Sequence, residues 1–155
     1  MKVIFILLLN LGIGHFTIAQ KQKIATKSNH YSPVIVKTYI GKYGNNAVIS
    51  IEEAKSLLSQ PLTVLDSKSK TFPLVTYSFL FKRKGIIENE QTGVKTSSIT
   101  NVSDHFQTTP LPALWIKNIN EGGFVKDEEF YFFDIVVKNE KGVNIFAPDI
   151  KIKIQ

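Results

Sequence analysis

The most regular hydrophobic pattern in the chain is its last seven residues, DIKIKIQ. Three isoleucines alternate with two lysines there, and strict alternation predicts a β-strand with one buried and one solvated face. The preceding stretch EEFYFFDIVVKN is dense in aromatic and β-branched residues and predicts a strand over Glu129–Lys138. Between these segments, the sequence NEKG at 139–142 predicts a tight turn, and residues 143–146 predict a short returning strand.

One acidic residue, Asp134, interrupts the apolar stretch of the strand predicted over Glu129–Lys138. In a regular strand it shares a face with Phe130 and Phe132, where an unpaired buried carboxylate costs several kcal/mol. We therefore expect either a solvated face or a β-bulge that turns Asp134 outward. Lys151 or Lys153 of the last strand is expected opposite it, and the pattern favours a structural role over a catalytic one.

A long strand is predicted over residues 72–82, where apolar and aromatic residues occupy both faces, as in a central strand covered on each side. Gly85 is predicted to end it. Residues 86–90 and 94–98, on either side of Gln-Thr-Gly, predict a hairpin with polar, exposed strands. Residues 99–112 contain Ser, Thr, Asp and two prolines, and this composition predicts a long surface loop.

Two short helices are predicted between the strands. Ser50 and Glu53 have the S-x-x-E spacing of a capping box, in which each side chain accepts a hydrogen bond from the backbone N–H of the other residue. Residues 51–58 then place apolar side chains at helical spacing. A second short helix is predicted over residues 113–118, before a glycine pair at 122–123 that ends it.

The elements together predict a mainly β protein, an immunoglobulin-like β-sandwich with one or two short helices. Further strands are predicted over residues 34–40 and 62–66. Short strands joined by frequent turns are typical of this architecture. Because the sequence shows neither a second domain nor an internal repeat, we expect residues 34–155 to form a single β domain.

The first residues, 1–19, have the composition of an export signal: a basic residue, a mostly apolar stretch and then small residues. We predict cleavage between Ala19 and Gln20, followed by a polar, flexible tether over residues 20–33. The apolar stretch is shorter than the ~20 residues of a membrane span. We therefore expect export to the periplasm or cell surface, without stable membrane insertion after cleavage, and the alternative is an uncleaved anchor.

Composition and charge narrow the functional classes. The chain has no cysteine, which excludes disulfides and thiol catalysis. Its net charge is +6, and its densest basic run is Lys82, Arg83 and Lys84. This run is a candidate partner-binding site, and the alternative is a solvated strand end that leads into a turn. No stacking-aromatic motif accompanies it, so nucleic acid is not an expected partner.

The sequence contains no recognisable motif for catalysis, cofactor binding or metal binding. Ser103, Asp104 and His105 carry the atoms of a catalytic triad, but adjacent residues do not readily orient one another in a relay. The acidic run at 127–129 lacks the alternating spacing of a calcium-binding loop. We therefore expect no enzymatic activity, no cofactor and no metal site.

Trp115, the only tryptophan of the chain, is a further candidate partner-binding residue. An exposed ring at this position can anchor a protein partner or stack on a sugar. The alternative is a structural residue that closes one end of the sandwich, since large aromatic side chains are mostly buried.

Three segments carry a resemblance to a known family: ISIEEAKSLL at 49–58, FPLVTYSFLF at 72–81, and the passage from LWIKNINEGG to DIKIKIQ at 114–155. In order and spacing they resemble the C-terminal periplasmic domain of GldM, a component of the gliding-motility and type IX secretion machinery of Bacteroidetes. The resemblance spans residues 34–155. It departs from the family at Lys141-Gly142, where an Asp-Gly turn is usual.

The resemblance implies a non-enzymatic β-rich module that acts through protein contacts. We expect an exported adaptor or accessory protein of the cell envelope, linked to gliding motility or type IX secretion, that binds a protein partner. The expected contacts are a sheet edge or the loops around residues 82–84 and 108–115. GldM-like proteins dimerise, which leaves homodimerisation open here, whereas motor coupling is not carried over. The alternative function is a carbohydrate- or lipid-binding β-sandwich module that uses Trp115.

Overall fold

Two β-sheets and two short helices form the regular structure of residues 35–155, the part of the chain that the computed structural model describes. The predicted signal peptide (1–19), its cleavage site at Ala19 and Gln20, and the predicted tether (20–33) lie outside the described residues. In chain order the elements are β1 Val36–Ile40, β2 Ala47–Ile49, α1 Ile51–Leu57, β3 Leu62–Asp66, β4 Thr71–Phe72, β5 Leu74–Glu88, β6 Lys95–Phe106, α2 Ala113–Glu121, β7 Glu129–Lys138, β8 Asn144–Phe146 and β9 Ile150–Ile154.

The smaller sheet is an antiparallel meander of order β1-β3-β4, and the larger sheet has the order β2-β9-β7-β5-β6. In the larger sheet β2 and β9 run parallel, and the other neighbours run antiparallel. Strands β8 and β9 pair with different parts of β7, β9 with residues 129–132 and β8 with residues 136–138. The prediction of a mainly β, sandwich-like protein is confirmed. The immunoglobulin-like topology stays a prediction.

The hydrophobic core joins side chains from both sheets and both helices. On β9 the three isoleucines are buried and the two lysines between them are exposed, which confirms the predicted alternation. Five aromatic side chains of β5 and β7 form the centre of the core, with ring centroids of neighbouring pairs 4.9 to 6.1 Å apart. Each buried aromatic side chain contributes about 1.5–3 kcal/mol through the hydrophobic effect. These residues are Tyr77, Phe79, Phe81, Phe130 and Phe132.

Both helices begin where local sequence predicts. At the start of α1, Ser50 Oγ accepts a hydrogen bond from the Glu53 N–H at 3.2 Å, and Glu53 Oε2 accepts one from the Ser50 N–H at 3.0 Å. The predicted capping box is therefore confirmed. Because Ala54 and Leu57 are buried, tertiary packing stabilises this short helix more than propensity does. The predicted second helix is present as α2 and extends to Glu121.

A β-bulge in β7 explains how Asp134 avoids the core. Between Phe133 and Val136, β7 has one residue more than the facing segment of β5, and Asp134 takes a φ of 50° there. Its side chain is exposed, so the predicted bulge is confirmed. The prediction of a lysine opposite Asp134 is wrong, because Lys151 and Lys153 bond to other carboxylates nearer the start of β7.

The hairpin that follows the central strand is much longer than the sequence predicts. Strand β5 continues through Gly85 to Glu88, and β6 occupies residues 95–106 in place of the first part of the predicted loop. Gly85 does not end the strand: it faces Ser98, whose Oγ lies 2.9 Å from where a Cβ would stand. The loop prediction for residues 99–112 was wrong because most of β6 is exposed on both faces, so no apolar alternation marks it as a strand.

Candidate interaction site

Part of the β5–β6 hairpin extends beyond the rest of the larger sheet. Strand β7 pairs with β5 as far as Lys82 and no further, whereas β6 pairs with β5 through to Glu88. We call residues 85–98 the arm. Ile86 and Ile87, which lie on opposite faces of the arm, are 73% and 62% exposed. A two-stranded ribbon is only marginally stable by itself in water, and the arm exposes one isoleucine on each of its two faces for contact with a partner.

The tip of the arm is a well-defined turn closed by Asn89. Its N–H donates to the Val94 carbonyl at 2.9 Å, and its carbonyl accepts from the Gly93 N–H at 2.7 Å. Its Oδ1 accepts from the N–H groups of Gln91 and Thr92, both at 3.0 Å. Gly93 adopts a φ of 68°, a left-handed conformation that glycine takes without strain. The turn therefore fixes the register of the two strands of the arm.

Strand β6 forms one edge of the larger sheet, and no strand among residues 35–155 pairs with its outer side. The backbone groups of Asn89 and Val94 are hydrogen-bonded to each other. Because hydrogen-bonded pairs alternate with non-bonded pairs along an antiparallel ladder, every second residue of β6 from Val94 onwards, that is each even-numbered one, turns its N–H and C=O groups towards β5. Odd-numbered residues turn theirs to the open edge. The His105 N–H is bonded by the Asp104 carboxylate at 2.8 Å. The remaining outward-facing residues are Lys95, Ser97, Ile99, Asn101 and Ser103.

The open edge lacks the features that natural proteins use to prevent strand addition. Between Lys95 and Asp104 the sequence TSSITNVS contains no charge and no proline, and its register with β5 is regular. Charged residues, prolines and bulges are the usual protection of an exposed edge. Strand β6 is therefore competent to accept a further strand.

The structure separates the three residues of the basic run rather than presenting them together. The run lies within β5, not at a strand end before a turn. Lys82 and Lys84 share the outer face of the larger sheet, where Lys82 lies 3.6 Å from Glu129. Arg83 points to the other face, donates to the carbonyl of Gly122 and lies over the ring of Phe81. The three side chains are therefore not one continuous cationic patch.

A ladder of charges crosses the outer face of the larger sheet. Asp127 bonds to Lys84 at 3.1 Å and to Lys153 at 2.7 Å, and Glu129 lies 3.2 Å from Lys151. Hydrogen bonds from Lys153 and Lys84 lower the pKa of Asp127 to about 2. The same contact with Asp127 raises the pKa of Lys153. Most of the positive charge on this face is thus already paired within the chain.

An open groove of about 430 Å³ lies beside these charges. Its aromatic wall is Tyr131, whose ring stacks on Phe133 with centroids 5.0 Å apart. The Tyr131 hydroxyl donates to Asp149 at 2.5 Å, a contact that raises the pKa of this tyrosine. The groove is lined by Leu80, Lys82, Asn101, Glu129, Tyr131 and Lys151.

Trp115 packs against the core from α2. Its ring meets Phe106 edge-on at a centroid distance of 5.2 Å and Phe79 at 6.4 Å, and the residue is half-buried. These contacts match the interpretation of Trp115 as a residue that closes the core. Only part of the Trp115 ring is therefore accessible to a ligand.

The residues considered for catalysis do not form a relay. His105 Nδ1 lies 3.3 Å from Ser78 Oγ, whereas Ser103 is two positions away on the same strand. Asp104 faces Phe79 across the ladder and therefore points to the opposite side of the sheet from His105. Within residues 35–155, no group of three or more His, Cys, Asp or Glu side chains is placed to hold a metal ion.

The hairpin that forms the arm was predicted from sequence, but its continuation along residues 99–106 of β6 and the role of Glu128 were missed. Although Glu128 is only 1% exposed, its carboxylate accepts from the backbone N–H of Lys84 at 3.0 Å and of Val125 at 2.9 Å. It therefore fixes the chain entering β7 to β5 at the base of the arm. For the part of β6 beyond the arm, the β-branched residues of TSSITNVS were the available signal, since such residues favour strands.

Among residues 35–155, no helix has the length and apolar character needed to cross a membrane. Comparison of the chain with protein-family models, with curated proteins and with solved structures found no match. The resemblance to the GldM C-terminal domain accordingly stays a prediction from sequence.

Proposed function

We propose that the protein is a non-enzymatic interaction module, an adaptor or accessory protein of the cell envelope, that binds a protein partner through the arm and the β6 edge. The observation that carries this proposal is the projection of the arm past β7 with Ile86 and Ile87 exposed. Folding does not require these isoleucines at the surface, because they contribute nothing to the core. A partner that covers them gains the free energy of burying their apolar area.

The chemistry of the edge indicates how a partner binds. A strand or extended segment placed beside β6 forms backbone hydrogen bonds with the outward-facing residues, which supply affinity, while side chains on both faces supply specificity. This mode requires neither a deep pocket nor a cofactor. It matches a site whose groups are mainly backbone amides, carbonyls and isoleucines.

The cellular setting of this proposal comes from the sequence. The signal predicted over residues 1–19, with cleavage predicted between Ala19 and Gln20, supports a location in the periplasm or at the cell surface. The resemblance to GldM suggests a partner in gliding motility or type IX secretion.

Affinity capture from the native cell envelope tests the proposal. A C-terminally tagged full chain is compared with an Ile86→Ser, Ile87→Ser variant and with Val143→Ser as a matched control. Val143 is 53% exposed and lies outside the arm. We expect a specific envelope protein to be captured by the wild type and the control, and lost from the arm variant. Equal capture by all three chains contradicts the role of the arm.

A second candidate function is binding of a carbohydrate or lipid at the groove beside Tyr131. The observation that favours it is the stacked Tyr131–Phe133 pair next to Lys82 and Lys151, since an aromatic wall with polar groups beside it suits a sugar or a headgroup. A glycan array and lipid vesicles separate the candidates. Binding that is lost in Tyr131→Ala but kept in Trp115→Phe supports the groove as the binding site. The absence of binding to both the glycan array and the vesicles contradicts this second function.

A further inference from the structure

Two turns lie together at the end of the larger sheet that is opposite the arm. Strands β5 and β7 are antiparallel, and Val137 near the end of β7 pairs with Leu74 at the start of β5. The turn that follows β7 is therefore about 45 Å from Glu88 along the strand direction. The β3–β4 turn lies beside it, because Lys70 forms an ion pair with Glu140. We call the residues of this region, 66–70 and 138–146, the basic end.

The basic end carries more positive charge than its own carboxylates neutralise. It has four lysines and two carboxylates, which gives a net charge of +2. Asp66 accepts hydrogen bonds from backbone N–H groups of its own turn, and Glu140 pairs with Lys70. The other three lysines pair with no carboxylate among residues 35–155, and residues 1–34 contain neither Asp nor Glu. These exposed lysines are Lys68, Lys138 and Lys141.

The tip of the arm and the tip of the basic end share a turn geometry and differ in charge. Asn139 Oδ1 accepts from the N–H groups of Lys141 at 2.9 Å and Val143 at 3.0 Å, as Asn89 Oδ1 does in the arm. The arm, however, has two glutamates and one lysine, a net charge of −1. An anionic surface therefore attracts the basic end and orients the molecule with the arm pointing away.

Apolar side chains lie at the surface of the basic end beside its lysines. Phe146 is 78% exposed, the largest exposed fraction among the large apolar side chains of the described residues, and Val143 is 53% exposed. Asn144, two positions before Phe146, pairs with Lys138, so Phe146 and Lys138 project from the same face of the sheet. Lysines next to an exposed aromatic ring are typical of a segment that lies at a membrane interface.

We propose that the basic end binds the surface of an anionic phospholipid bilayer, with its lysines at the headgroups and Phe146 at the boundary with the acyl chains. The lysines alone suit any acidic surface, and the exposed ring beside them favours a bilayer, which has hydrocarbon beneath its charge. The contact is that of a peripheral protein and does not depend on the proposed protein partner. The next carboxylate along β7 is the exposed Asp134, about 13 Å from Lys138, so only the tip enters the interface.

Binding to lipid vesicles tests the proposal, with protein purified from cells that express the full chain. We expect binding to vesicles of phosphatidylcholine mixed with phosphatidylglycerol, and little to phosphatidylcholine alone. Lys138→Gln with Lys141→Gln should weaken binding about 30-fold, since each lysine near an anionic bilayer contributes about fivefold. Phe146→Ser should weaken it about tenfold.

A matched control removes the same charge at the other end of the sheet. Lys95 lies in the arm, and the exposed Lys126 lies just before β7, at the base of the arm. Because a charge acts over about 10 Å at moderate salt, Lys95→Gln with Lys126→Gln should weaken binding by less than about threefold. All of these variants have the same N-terminal residues and should keep the circular dichroism spectrum of the wild type, so differences in binding report on the substituted positions.

A fluorescent label shows which end of the molecule meets the bilayer, because the chain has no cysteine of its own. A polarity-sensitive fluorophore attached to Asn144→Cys should shift its emission to the blue on the phosphatidylglycerol vesicles. The same fluorophore attached to Gln91→Cys, at the tip of the arm, should not shift. Salt of about 1 M, which shortens the Debye length to about 3 Å, should reduce the shift.

The outcomes separate this proposal from both proposed functions. Equal binding by the lysine variant and its control overturns it, as does the absence of binding to either kind of vesicle or a shift at Gln91→Cys without one at Asn144→Cys. Binding that is lost in Tyr131→Ala but kept without Lys138 and Lys141 assigns the lipid to the groove and contradicts a role of the basic end. None of these results alters the capture of an envelope protein by the arm, which its own variant tests.

Discussion

Strands β7 and β6 lie on either side of β5 and differ in what holds them. Strand β7 places four side chains in the core on one face, and β9 and β8 cover its far edge. Strand β6 buries only Phe106, at its last position, and pairs with β5 alone among the described strands. One neighbour of the central strand is thus stabilised by hydrophobic burial, the other mainly by backbone pairing. The exposed side chains of β6 are therefore available for contacts outside the chain.

The largest expected difference in the free energy of unfolding is between a substitution in the core and one in the arm. Phe132→Ala removes a ring that is 1% exposed, and we expect it to lower the free energy of unfolding by about 3–5 kcal/mol. Ile86→Ala on the arm should change it by less than about 0.5 kcal/mol. Urea unfolding of the two variants measures both values. Similar losses in the two would show that the arm is part of the cooperative core.

Two glutamate substitutions compare how much the base of the arm and the arm itself contribute to the free energy of unfolding. Glu128→Ala leaves two part-buried N–H groups without their acceptor, and we expect a loss of about 1–3 kcal/mol in the free energy of unfolding. Glu88→Ala removes an exposed pair with Lys95 and should cost under about 1 kcal/mol. Chemical denaturation of both variants gives the comparison. Equal values would mean that solvent satisfies the two N–H groups in the Glu128 variant.

Substitutions of Asp134, at the bulge in β7, should have an effect of intermediate size on the free energy of unfolding. A β-branched residue is disfavoured at the positive φ of Asp134, so we expect Asp134→Val to cost about 1–2 kcal/mol. Asp134→Gly, which accepts this conformation, is the control and should be close to neutral. Thermal unfolding of both proteins measures the difference. A stable Asp134→Val protein would indicate that the bulge moves along β7.

The smallest of these effects is a pH dependence at the charge ladder. The pKa of Asp127 in the folded chain, about 2, lies below its ordinary value of 3.8. Its contribution to stability is therefore present above the ordinary pKa and declines as pH falls towards about 2. Asp127→Asn should weaken the loss of stability between about pH 5 and about pH 2. Unfolding midpoints across that range measure it, and identical curves for wild type and variant would contradict the assignment.

The difference between β7 and β6 also explains how much of the fold can be predicted from sequence. Periodic apolar residues indicate burial, so Glu129–Lys138, the isoleucines of β9 and the helix capped by Ser50 are placed correctly. The bulge at Asp134 follows from the cost of burying a carboxylate. Strand β6 leaves no comparable pattern because solvent contacts both of its faces.

The candidate site is less predictable for the same physical reason. Lys82, Arg83 and Lys84 are adjacent in sequence, but the strand sends neighbours to opposite faces, and their partners come from distant segments. The open edge depends on strand order, which short-range sequence patterns do not specify. Ile86 belongs to a hairpin that the sequence predicts to be exposed, but its position beyond the rest of the sheet is known only when β7 is seen to stop pairing with β5 at Lys82.

Site-specific photocrosslinking in the native cell envelope is the most direct test of the arm as the contact surface. A photoreactive amino acid replaces Ile87 in one chain and the similarly exposed Val143, outside the arm, in another. We predict a covalent protein adduct from position 87 and none from position 143. Adducts at position 143 with none at position 87 would contradict the claim that the arm binds the partner.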